Sequence, residues 1–199
     1  MSFLNDVLEH NQRWVEARNR PLSKVPQKKI AIFTCMDTRL VEFLEQAMGL
    51  GRGDAQVIKN AGNTLVDPGG GVVRSLVVAI YAIGVGEVFV IGHTDCGMAQ
   101  IDEAKLEEAM LSRGVTKEAI EGLHPGLKEW VGGFKDPRRN VERVVRLLRD
   151  NALIPKDVPV HGLMFNPGTG LLKAVSADER PQFAAVQSSG AAVKPPPQA

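Results

Sequence analysis

The chain has 199 residues, 24 basic and 23 acidic side chains, a net charge of +1 and two cysteines. Its length suits a single domain whose core needs no covalent staples, and 44% hydrophobic with 24% charged residues is the composition of a globular protein. The near-zero charge gives no field to draw nucleic acid or an anionic membrane, and two cysteines cannot form a disulfide framework.

The opening MSFLNDVLEHNQRW has no basic start, and Asp6 and Glu9 interrupt its apolar residues, so it is not a signal peptide. Phe3, Leu4, Val7, Leu8, Trp14 and Val15 recur at helical spacing. Residues 1–20 therefore form an amphipathic helix, set apart by Pro21 and Pro26 and suited to act as an arm in a dimer. Residues 27–176 are expected to form one α/β domain. Lys29–Thr34 is a first strand, Leu40–Met48 a helix stopped by Gly49 and Gly51, and Ala55–Lys59 a second strand. Pro68 and three glycines turn into a helix over Val72–Ile83. They lack the ending of a phosphate-binding loop. Glu87–Ile91 is nearly all apolar and reads as a central strand.

Ile101–Leu111 and Thr116–Leu123 are helical by composition. Arg138–Asn151 is a helix with Pro137 at its first position and Val141, Val144, Val145 and Leu148 along one face. Its five arginines, offset by Asp136, Glu142 and Asp150, read as a solvated or subunit-facing surface rather than a nucleic-acid site. Val158–Phe165 is a fourth strand and Leu171–Val175 pairs back on it as a hairpin. Residues 177–199 are rich in Ala, Ser, Gln and Pro and are expected to be a flexible tail. The longest apolar stretch, Val72–Gly92, carries Arg74 and Glu87 and is broken by Gly84 and Gly86, so no membrane span is expected. Together these features place the chain in the cytoplasm.

Strands alternating with helices imply a parallel sheet with helices on both faces. The order 2-1-3-4 sets the first and third strands side by side, and their C-terminal ends form the crevice where ligands bind in such sheets. Cys35-Met-Asp37-Thr-Arg39 follows the first strand and His93-Thr-Asp95-Cys96-Gly97 follows the third. Both cysteines and one of four histidines thus converge on one crevice. Two thiolates and an imidazole suit zinc, and three protein ligands leave the open position of a catalytic site. Two other readings stay open: a Cys35–Cys96 disulfide, and cysteines that are only small buried hydrophobes. Asp37 and Arg39 could equally be a surface ion pair. Asp95 is expected to cap a helix starting near Gly97, the other reading being that it orients a group behind the ligands.

CxDxR followed by HxxC resembles the signature of the β-class carbonic anhydrases. The similarity to the compact prokaryotic branch continues through Gly53-Asp54-Ala55, Lys59-Asn60-Ala61-Gly62-Asn63, Arg74-Ser75-Leu76 and Met98, over about Lys29–Met98. The resemblance implies that Cys35, His93 and Cys96 bind Zn2+ and that Asp37 and Arg39 are a catalytic dyad. The resemblance also allows a closed state in which Asp37, freed from Arg39, is a fourth ligand. It also implies a homodimer or assembly of dimers and a sheet in 2-1-3-4 order with an added antiparallel edge strand. The implied reaction is the reversible hydration of carbon dioxide to bicarbonate and a proton by zinc-bound hydroxide. Gly97 and Gly62 are expected to offer backbone beside the small substrate. Two thiolate ligands should make the bound water less acidic than three histidines would, favouring alkaline pH. His10, His124 and His161 are weak candidates for a proton shuttle. Two rival functions share the features: hydrolysis of carbonyl sulfide or carbon disulfide on the same scaffold, and a non-catalytic, zinc-stabilised binding protein.

Overall fold

The computed structural model describes residues 3–17 and 22–177. Helix α1 (Phe3–Ala17) leads into β1 (Ile30–Cys35), α2 (Phe43–Ala47), β2 (Ala55–Asn60), α3 (Gly71–Tyr81) and β3 (Glu87–His93). Four helices follow: α4 (Glu103–Ser112), α5 (Lys117–Glu121), α6 (Leu127–Val131) and α7 (Pro137–Asp150). Strands β4 (Val160–Phe165) and β5 (Leu172–Ser176) close the sheet. Beyond Ala177, the expected tail lies outside the described residues.

The sheet runs β2-β1-β3-β4-β5, parallel except for the antiparallel β4–β5 edge, as expected. Alternate residues sort onto its two faces. Ala31, Phe33, Val88, Val90 and Val160 meet α3 and α7 in the larger core. Ile32, Ile91 and Phe165 meet Leu40 and Leu44 on the other face, in a core that also includes Cys35 and Cys96. Among the described residues, no helix is long and apolar enough to cross a membrane.

Helix α7 starts where its sequence dictates. Asp136 accepts hydrogen bonds from the Arg138 and Arg139 amides, and Pro137 occupies the first turn. Val141, Val144, Val145 and Leu148 are fully buried on its sheet side. The helix lies close because glycines face it. A Cβ on Gly92 would come within 2.5 Å of Val141 Cγ2, and one on Gly162 within 2.9 Å of Val141 Cγ1.

The expected continuous helix over Leu40–Met48 is instead a 3-10 turn at Thr38–Leu40 and a separate α2. Val41 is extended and Glu42 has φ 63°, and the break turns both Leu40 and Leu44 into the smaller core. The glycines before α3 form the expected turn, in which the Gly69 amide donates to Asp67 Oδ1.

Candidate active site

The parallel pairing sets Thr34 of β1 beside Ile91 of β3. One residue later, Cys35 ends β1, and two residues later His93 ends β3. Cys96 arrives through the turn after β3, in which Asp95 takes φ 54°. The three donor atoms lie within 4.8 Å of one another, and all three residues are buried. Sequence separation is thus erased at the expected crevice.

The donor set fits zinc on three counts. Both cysteines are free thiols, and their sulfurs stand 3.9 Å apart. Two sulfurs each about 2.3 Å from a tetrahedral zinc would be about 3.8 Å apart. His93 Nδ1 lies 2.9 Å from the Thr94 carbonyl, which fixes its proton on that nitrogen. His93 Nε2 is then a buried lone pair with no hydrogen-bond partner among the described residues. Charge points the same way. Hydrogen bonding with Cys96, then the neighbouring His93 ring, holds the Cys35 thiol down at about 4 against burial. The same Cys35 contact, then burial, pushes the Cys96 thiol up. Two sulfurs competing for one proton are the arrangement a bound cation relieves. For His93, burial favours the neutral ring, but the neighbouring Cys35 sulfur outweighs it and raises its pKa.

Asp37 and Arg39 flank this triad. Arg39 Nε donates to Asp37 Oδ1 at 3.0 Å and Nη2 donates to Oδ2 at 2.8 Å, a two-bond fork. The Arg39 amide adds a bond to Oδ1 at 2.9 Å. The guanidinium, chiefly by its hydrogen bonds, holds the Asp37 carboxyl down at about 2, so it is ionised across ordinary pH. Asp37 Oδ2 lies 3.7 Å from His93 Nε2. The ion pair therefore sits at the triad rather than along a solvated helix.

Asp95 differs from expectation. Cys96, not Asp95, precedes the 3-10 turn at Gly97–Gln100, and no side chain caps that turn. The positive φ at Asp95 turns its carboxylate to Arg39 Nη1 at 2.9 Å, while its carbonyl accepts from Nη2 at 2.8 Å. Arg39 is thus held between two carboxylates. The cap was the favoured reading and orienting a group behind the ligands the other; the partner, Arg39, was not legible because the pair is 56 residues apart. The one signal was an acid placed between two ligands.

A cleft of about 410 Å³ opens over Cys35 and Cys96, lined by Met36, Thr38, Ala61 and Met98 besides Asp37 and Arg39. Gly97 and Gly62 both line it. A Cβ on Gly97 would meet nothing within 4 Å, so its backbone faces open space. Gly62 is instead tightly enclosed, with a Cβ position 2.8 Å from Met98 Cγ and Phe134 Cε1, and its amide donates to Cys35 Sγ at 3.3 Å. The three candidate shuttle histidines lie elsewhere. His10 is exposed on α1, His124 is exposed after α5, and His161 pairs with Glu87 at 2.8 Å towards the other end of the strands.

A family model described as carbonic anhydrase matches residues 30–172. A solved β-carbonic anhydrase isoform from Trichomonas vaginalis superposes with a TM-score of 0.84 and 45% identity, covering 89% of this chain and 99% of that one. Bacillus subtilis YvdA, whose name assigns it provisionally to the carbonic anhydrases, is 44% identical over 88% of this chain and 92% of its own length. A carbon disulfide hydrolase from Acidithiobacillus thiooxidans is 29% identical over 85% of this chain and 87% of its own.

Proposed function

The chain belongs to the β-class carbonic anhydrases, and we propose that it catalyses the reversible hydration of carbon dioxide to bicarbonate and a proton. The observation that carries this reading is an ionised Asp37, clamped by Arg39, 3.7 Å from the lone pair of a buried Cys–His–Cys triad. In this reading Cys35, His93 and Cys96 would hold zinc, which would supply the Lewis acidity that lowers the pKa of water far below its bulk value.

The protein's own groups do the rest. The Arg39 fork keeps the Asp37 carboxylate turned to the triad and free of a proton. Asp37 Oδ2 accepts a hydrogen bond from the attacking water and so directs its lone pair towards the carbon. Its low pKa stops it from taking the proton outright, so it orients the nucleophile instead of acting as a base. Met36, Ala61 and Met98 give the cleft an apolar lining for an uncharged substrate, and the Gly97 backbone leaves room beside it. With no charge on the substrate, a net charge of +1 costs nothing in capture. Two unbridged thiols 3.9 Å apart suit a reducing compartment, which supports a cytoplasmic enzyme.

We also assign a homodimer or an assembly of dimers. Phe3, Leu4, Val7, Leu8 and Trp14 of α1 are exposed, as are Met36, Val41 and Leu171. A partner subunit would cover such side chains. A chain that starts at Pro21 and stays dimeric and equally stable removes the arm role from residues 1–20.

The test is metal content together with stopped-flow CO2 hydration, run beside sulfide release from carbonyl sulfide and carbon disulfide. Stoichiometric zinc with fast CO2 hydration supports the proposal. Sulfide release without CO2 hydration selects the second reading, which the carbon disulfide hydrolase relative favours. Zinc without either activity selects a binding protein.

A further inference from the structure

Two polar side chains on α7 take no part in the site described so far. We infer that Asn140, assisted by Arg143, is a positioning residue for the Cys35 ligand, because it holds the loop whose Gly62 amide hydrogen-bonds the Cys35 sulfur. The inference rests on the reading of Cys35 as a zinc ligand.

Asn140 is 3% exposed. Its Nδ2 donates to the Gly62 carbonyl at 3.1 Å and the Asn63 carbonyl at 3.5 Å. Carbonyls only accept, so the orientation of this amide is not ambiguous. Its Oδ1 accepts from Thr64 Oγ1 at 3.3 Å and from Arg143 Nη2 at 3.1 Å. Arg143 also donates to Thr64 Oγ1 at 2.8 Å and to the Leu65 carbonyl at 3.2 Å. One connected set of bonds from α7 therefore reaches the Gly62, Asn63 and Leu65 carbonyls and the Thr64 hydroxyl.

Gly62 is held at both ends. Its carbonyl is bound by Asn140, and its amide donates to Cys35 Sγ at 3.3 Å. Its φ of 70° would strain most residues, and a Cβ there would strike Met98 and Phe134 at 2.8 Å. Asn140 itself has little freedom, because the next residue, Val141, is wedged against Gly92 and Gly162. The path from sheet to ligand is short: β3 and β4 seat α7, α7 seats Asn140, Asn140 seats Gly62, and the Gly62 amide steadies the Cys35 sulfur. Partners behind metal ligands orient them, and their loss typically lowers metal affinity about 10–100-fold.

Asn140→Asp is the sharp variant. It keeps the volume and the acceptor towards Thr64 and Arg143, but turns an oxygen on the Gly62 carbonyl. Asn140→Ser serves if the aspartate variant does not fold. Leu148→Ala, buried farther along the same helix, is the control for lost stability. Zinc affinity of the full chain is read by chelator competition, with the Gly62 amide-proton shift read by NMR. The expected result is about 10–100-fold weaker zinc binding and a moved Gly62 amide in the Asn140 variant, with wild-type affinity in Leu148→Ala. Wild-type affinity in the Asn140 variants overturns the inference, as does an equal loss in Leu148→Ala. A wild-type chain that takes up no zinc overturns the metal reading itself and this inference with it.

Discussion

The contact between Gly92 and Val141 offers a quantitative test of how the site is framed. Gly92 precedes His93 in β3, and a Cβ there would lie 2.5 Å from Val141 Cγ2 and 3.2 Å from Met164 Sδ. Carbon atoms pack best at about 3.5–4.0 Å, so Val141 would have to retreat by about 1 Å. Val141 is fully buried and also meets Gly162, so that retreat moves α7. Overpacking of this kind costs about 1–3 kcal/mol. At about 2–4 °C per kcal/mol for a domain of this size, Gly92→Ala should lower the melting temperature by about 2–12 °C. Val141→Ala alone removes two buried methyl groups, at about 2 kcal/mol. If the two residues acted independently, the double variant would lose about 4 kcal/mol. Val141→Ala also makes room for the new methyl, so the double variant should lose only about 2 kcal/mol, a coupling of about 2 kcal/mol. Equilibrium unfolding of the four proteins measures it. Additive losses would refute the claim that β3 and α7 meet at van der Waals limits beside the site.

Three further outcomes follow from the site. Arg39→Met should retain zinc, since Arg39 is not among the three donors, yet lose at least about a hundredfold in rate as Asp37 loses its fork. Arg39→Lys should recover little of that rate, because a single ammonium cannot replace two parallel bonds, and wild-type turnover in either variant would exclude the dyad. Cys96→Ser should lose stoichiometric zinc, and retained zinc would remove Cys96 from the ligand set. The Asp37 carboxyl is lowered from 3.8 to about 2, chiefly by hydrogen bonds from Arg39. A carboxyl lowered in the fold contributes stability that is full above about pH 4 and lost as pH falls through about 2. Asp37→Asn should flatten unfolding across that window, and an unchanged acid limb would contradict the pairing.

Much of this architecture was legible because its signals are local. The apolar runs Ile30–Phe33 and Val88–Ile91 declare buried strands, and a right-handed crossover leaves few orders for them. Once β1 and β3 are neighbours, Cys35 and His93 must meet. The helix α7 was legible at both its Pro137 start and its valine stripe. Other features were not. The five residues Leu127–Val131 lie between Gly126 and Gly132, too few for a period to show. Leu40–Met48 has helical composition, but burying Leu40 and Leu44 together breaks it at Val41 and Glu42. Tertiary packing outweighed propensity there.

What sequence reading missed near the site has one physical character. Asp95 meets Arg39 across 56 positions and Asn140 meets Gly62 across 78, each through a hydrogen bond between distant segments. Hydrophobic periodicity reports which face of an element is buried, but not which polar partner waits there. Asn140 did leave a trace: it is a polar residue directly before Val141 at the start of an apolar stripe. A buried amide in that place must find partners or cost stability, and the partners it finds are loop carbonyls. The ligands themselves were readable from residue type and topology. Their orientation depends on groups whose types are common and whose positions only the folded chain brings together. Variants of Cys35, His93 or Cys96 therefore test whether metal binds, variants of Asn140 how tightly, and variants of Arg39 and Asp95 how the site directs the reaction.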